Sequence, residues 1–103
     1  MTLGAWLAER SPAPPPRLAE RIHQALGVRV SADADAAPAL CVDAAADLLR
    51  ELLTRSATGR ESALELLAVD ALVTYAFEAA SANPSSLTTT ANAAMARLSL
   101  AAQ

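Results

Sequence analysis

Residues 60–81, RESALELLAVDALVTYAFEAAS, are the longest uninterrupted helix-forming run in this chain and hold its only Tyr and only Phe. At about 100° per residue, Leu64, Ala68, Ala71, Leu72, Tyr75 and Ala79 share one broad side, and Leu66, Val69, Val73, Ala76, Phe77 and Ala80 share another. The polar remainder is Glu61 and Glu65 at the start, then a narrow row of Asp70, Thr74 and Glu78 at i, i+4, i+8. A helix that is apolar almost all round belongs in the middle of a bundle or in a subunit interface. The pattern predicts a central helix over 60–82.

The composition narrows the fold class. At 103 residues the chain has the length of one small domain. Hydrophobic residues make up 53%, but much of this is Ala, and there is one Trp, one Tyr and one Phe. A core of Leu with Ala between suits closely packed helices and lacks the β-branched and aromatic residues that sheets favour. The expected fold is all-α: a small four-helix bundle over about 15–26, 38–55, 60–82 and 84–102, with an additional short N-terminal helix.

Taken in order, Thr2 is placed to cap a short helix reaching about Arg10, with Leu3, Trp6 and Leu7 at i, i+3, i+4. Gly4 weakens it by about 1 kcal/mol relative to Ala, so its persistence is expected to depend on docking Trp6. Residues 11–16, SPAPPP, form a stiff proline-rich connector leading into the next helix. There Leu18, Ile22 and Leu26 stack, while Arg17, Glu20, Arg21 and Gln24 face water, and Gly27 ends the helix. His23, the only histidine, reads as a helix-surface residue. Residues 28–37 read as a polar linker in which Ser31, Asp33 or Asp35 is available as a cap. Its alternating acids lack the Gly and the distal Glu of a calcium loop.

The third helix carries the stripe Cys41, Val42, Ala45, Leu48, Leu49, Leu52 and Leu53, with Asp43, Asp47, Arg50, Glu51 and Thr54 opposite and Glu51 spaced to pair with Arg55. SATGR at 56–60 ends it. Asn83-Pro84 breaks the chain again and starts a last helix that buries Leu87, Ala91, Ala94 or Met95, Leu98 and Ala101.

Charge and motifs exclude several functions. All eight basic residues are Arg, dispersed along the chain, and the net charge is −3, which disfavours nucleic acid and anionic membrane as partners. The Arg-only, Ala- and Pro-rich usage suggests bacterial, GC-rich coding. A lone Cys41 and a start without a basic leader point to the cytoplasm. The central run has nearly the length of a membrane span, but Glu65, Asp70 and Glu78 would each cost about 2.5 kcal/mol or more inside it. No Gly-rich phosphate loop, metal-ligand spacing or nucleophile–base pair stands out, so no enzyme activity, cofactor or metal is expected. Cys41 lies on an apolar stripe, where a thiol acts as a small hydrophobe.

Residues 68–80, AVDALVTYAFEAA, resemble one helix of isoprenyl diphosphate synthases, with Asp70, Ala71, Leu72, Ala76, Phe77 and Glu78 matching. That family's paired-aspartate motifs are absent, so the resemblance implies similar helix packing and not prenyl transfer. Residues 17–28, RLAERIHQALGV, are similar to the opening of acyl carrier and helix-turn-helix domains. The carrier's Asp-Ser-Leu attachment site is missing, and Asp33 and Asp35 after the helix would repel phosphate.

The expected function is therefore a small helical interaction or assembly module. It would bind itself or a larger protein through Leu66, Val69, Asp70, Leu72, Val73 and Phe77 of the central helix. The alternative is a binder of a small apolar ligand in space around Ala68, Ala71, Ala76 and Phe77, with Asp70 as polar handle.

Overall fold

The computed structural model describes residues 1–55 and 59–103, with Arg60 and Glu61 described by their backbone alone. Five α-helices appear among the described residues: α1 (Leu3–Ala8), α2 (Pro16–Leu26), α3 (Ala37–Arg55), α4 (Arg60–Ala80) and α5 (Pro84–Ala101). Two short 3₁₀ turns, Gly27–Ser31 and Ala34–Ala36, connect α2 to α3. The all-α bundle with a short N-terminal helix is what the hydrophobic spacing predicts.

Caps explain several boundaries. Ala5 N donates to Thr2 Oγ1 at 3.1 Å, so the expected cap forms, and Ser85 N donates to Asn83 Oδ1 at 3.2 Å, which caps α5. Pro84 takes the first turn of α5. Gly27 closes α2 with φ +56° and ψ −128°, a positive φ that suits glycine and lies outside the left-handed helical region. The expected SATGR turn lies mostly outside the described residues; Gly59, at its edge, has φ +90°.

The hub is a pair of helices. α3 packs most extensively on α4 and next on α5, while α2 lies across α4. Ala37, Ala44, Ala45, Ala68 and Ala76 are completely buried, and their small side chains allow the helix backbones to approach closely. Leu3, Leu26, Leu72, Val42 and Cys41 are the largest fully buried side chains, and each Leu or Val contributes about 1.5–3 kcal/mol by leaving water. The inner face of α4 takes Ala68, Leu72, Ala76 and Ala80 from both of the apolar sides seen in the sequence.

Other expectations need correction. In α3, Leu53 is 49% exposed, and Ala44 and Ala46 are buried instead. In α5, Ala94 is buried and Met95 is exposed, Leu87 is partly uncovered, and Thr90 is buried with them.

The segment 28–37 is more than a polar linker, and Val28–Val30 is not extended. Leu3 N donates to Ala32 O at 2.8 Å and Ala34 N donates to Met1 O at 2.9 Å, forming an isolated antiparallel bridge between Thr2 and Asp33. Asp33 accepts from Asp35 N at 2.8 Å and caps the second turn. Helix α1 is therefore held by backbone pairing and by Leu3 and Leu7 in the core, in addition to Trp6. Its Gly4 has a steric role, since a Cβ there would stand 3.3 Å from the Val30 carbonyl oxygen.

Candidate functional site

The six residues expected to form an interface do not act as one face. Leu72 is fully buried in the chain's own core. It sits on the same side of α4 as Ala68 and Ala76, which are likewise fully buried in the core. Val69 and Val73 are half-buried flanks of that core. Leu66 is 51% exposed, Asp70 is exposed and Phe77 is half-buried. Helical spacing places Leu66, Asp70 and Phe77 together on the outer side of α4. Leu67, at 54% exposure, borders this side, although the sequence pattern does not single it out.

Asp70 is exposed. It belongs to the row Asp70, Thr74, Glu78, all exposed, which is the wet strip of the helix. Its carbonyl accepts from Thr74 Oγ1 at 2.9 Å.

Among the described residues the one buried acid is Glu65, which reads from the sequence as a polar residue at the helix start. It stands two turns before Leu72 on the inward side and is 8% exposed. Arg55 at the end of α3 donates to its Oε2, and Arg21 of α2 donates to its Oε1 at 3.3 Å. The Arg55 hydrogen bond, with the charges of both guanidinium groups, outweighs burial and holds the Glu65 carboxyl below the usual carboxylate range. Arg21, expected to face water, is thus half-buried against this acid. The seven-residue spacing from Leu72 is the signal that marks Glu65 as inward.

The remaining candidates are paired or packed. Asp43 and Asp47, one turn apart on α3, have different partners. Arg97 of α5 lies 2.9 Å from Asp43, and Arg29 lies 2.6 Å from Asp47, with Arg50 at 3.3 Å. Among the described residues no three His, Cys, Asp or Glu side chains gather as a metal site. Cys41 is completely buried, and desolvation pushes its thiol up to about 11, which suppresses the thiolate. His23 is on the surface, with Nδ1 2.9 Å from Ala19 O.

A second cluster joins α1 to α4. The Trp6 and Tyr75 rings meet edge to face, with centroids 6.3 Å apart and planes at 87°. The Arg10 guanidinium lies 4.1 Å above the Trp6 ring, its Nε donates to Trp6 O at 3.2 Å, and its Nη1 is 3.7 Å from Glu78. Burial raises the Tyr75 phenol. Trp6 is the expected anchor of α1; its cationic partner Arg10 stands at i+4, whereas its aromatic partner Tyr75 is distant and not legible from spacing.

No family model matches the chain, and no curated protein and no solved structure matches it either. The likeness of residues 68–80 to one synthase helix therefore remains a likeness of a single helix. Among the described residues, no helix is long and apolar enough to cross a membrane.

Proposed function

We propose that this protein is a small cytoplasmic interaction module that self-associates through the outer side of α4, without a catalytic step of its own. The observation that carries this reading is Leu66, half-exposed on the same helical side as Phe77, on a helix whose inner face is already filled by its own core. Leu67 widens the apolar surface and Asp70 supplies a polar point within it. Apolar side chains left out of a domain core gain free energy when a partner covers them.

Light scattering after size exclusion, at two concentrations tenfold apart, tests this. The expected result is a dimer or larger assembly that Leu66→Arg and Phe77→Arg shift toward monomer while helicity stays unchanged. A wild-type monomer at both concentrations, or a mass insensitive to both substitutions, would refute self-association through this face. Leu72→Arg is unsuitable for this purpose, because it places a charge in the core.

A further inference from the structure

We propose that the open cleft between α1, the proline connector, α2 and α4 binds a small monocarboxylate whose apolar body is about the size of a benzene ring. Leu7, Pro14 and Ile22 supply apolar wall, and Arg10, His23 and Tyr75 supply the polar groups. The cleft measures about 170 Å³, close to the roughly 150 Å³ of an apolar cavity that accepts benzene. Mostly apolar concavities with a few convergent polar groups are the usual form of small-molecule sites.

The charge of the cleft selects an anion. None of its described lining residues is acidic, and Arg10 is a fixed cation at its edge. The Trp6 ring and carbonyl hold this guanidinium in place, so little ordering remains to be done on binding. Its charge pairing with Glu78 is loose, at 3.7 Å with the carboxylate side chain 48% exposed. A ligand carboxylate within hydrogen-bond distance would form a stronger, charge-assisted contact.

Tyr75 adds a donor. Its ring is fixed edge-on to Trp6, and its hydroxyl makes no hydrogen bond among the described residues. One cation and one phenol, with the exposed His23 ring at the surface and apolar wall elsewhere, match a single carboxylate on a compact hydrocarbon body. A dicarboxylate would leave its second charge against apolar wall.

The test is titration of the full ¹⁵N-labelled protein with benzoate and, separately, with the neutral isostere benzamide, following amide shifts and Trp6 fluorescence. The expected result is saturable shifts confined to α1, the connector, the cleft-facing part of α2 and the turn of α4 around Tyr75, with benzamide at least about tenfold weaker, as loss of a charge-assisted hydrogen bond implies. Arg10→Gln should remove the benzoate response to the same degree. No saturable shift below about 10 mM, equal response to both compounds, or shifts centred elsewhere would overturn the proposal. The benzoate-to-benzamide ratio is measured on the wild-type protein, so the outcome stands even if Arg10→Gln loosens α1.

Discussion

Arg21 Nη2 lies 3.3 Å from Glu65 Oε1, which ties α2 to α4 at the one buried acid among the described residues. Arg55 donates to the other carboxylate oxygen, so three helices converge on a single acid. Both lone-pair regions of the carboxylate are used, which is the condition under which a buried charge is tolerated.

Removing that acid leaves Arg21 beside the core without its counter-charge. Glu65→Ala is expected to destabilise the fold by about 2–3 kcal/mol in urea denaturation. The combined change Arg21→Met with Glu65→Leu should restore most of the loss, because an apolar pair of similar volume carries no desolvation penalty. If the single variant is as stable as wild type, the cluster contributes nothing net.

The same group sets a pH dependence. The folded-state carboxyl of Glu65 titrates below its ordinary value of 4.5. Its contribution is therefore fully present above that value and is lost as pH falls through the depressed folded value. Glu65→Gln should flatten the acid-side loss of stability in thermal melts taken between neutral and acid pH. An identical acid slope in both proteins would contradict this assignment.

Leu72 and Leu66 sit on one helix and should behave oppositely. Leu72→Ala removes a fully buried side chain and is expected to cost about 3 kcal/mol. Leu66→Ala, at a position 51% exposed, should stay within about 0.5 kcal/mol. Chemical denaturation of the two variants side by side gives the ranking, and a larger loss at Leu66 would reverse the inward and outward faces assigned to α4.

Gly4→Ala sets helix propensity against space. Ala gains about 1 kcal/mol in a helix interior, yet its Cβ would stand 3.3 Å from the Val30 carbonyl oxygen. That oxygen belongs to a backbone turn adjoining the Met1–Ala34 pairing, which limits its retreat. The expected outcome is a net loss of about 1 kcal/mol; a stabilised variant would show that the turn yields freely.

Cys41 should be inert in the native protein. With its thiol pushed up to about 11 and no exposed surface, labelling by an aromatic disulfide reagent at neutral pH should proceed only through unfolding. The labelling rate is expected to rise with urea in step with loss of helicity. Rapid modification of the folded protein would place Cys41 at an accessible surface.

Much of the architecture was legible in the linear pattern. Leu and Ala at helical spacing, Pro after Asn83 and the hydroxyl of Thr2 act within a few residues of one another, and that locality is why the helix ends lie close to their sequence signals. What α4 presents to solvent was not legible, because it is apolar nearly all round and its period is compatible with several inward directions. Contact with α2, α3 and α5 chose one, which buries Leu72 and Glu65 and leaves Leu66 and Leu67 outside. The pairing of 28–37 with the N-terminus and the meeting of Trp6 with Tyr75 likewise join residues far apart in sequence. The amino-acid sequence alone thus determined the helices, through short-range capping and periodicity. Only the tertiary structure decided which faces meet, because that choice depends on side-chain packing and charge pairing between segments with no local signal for each other.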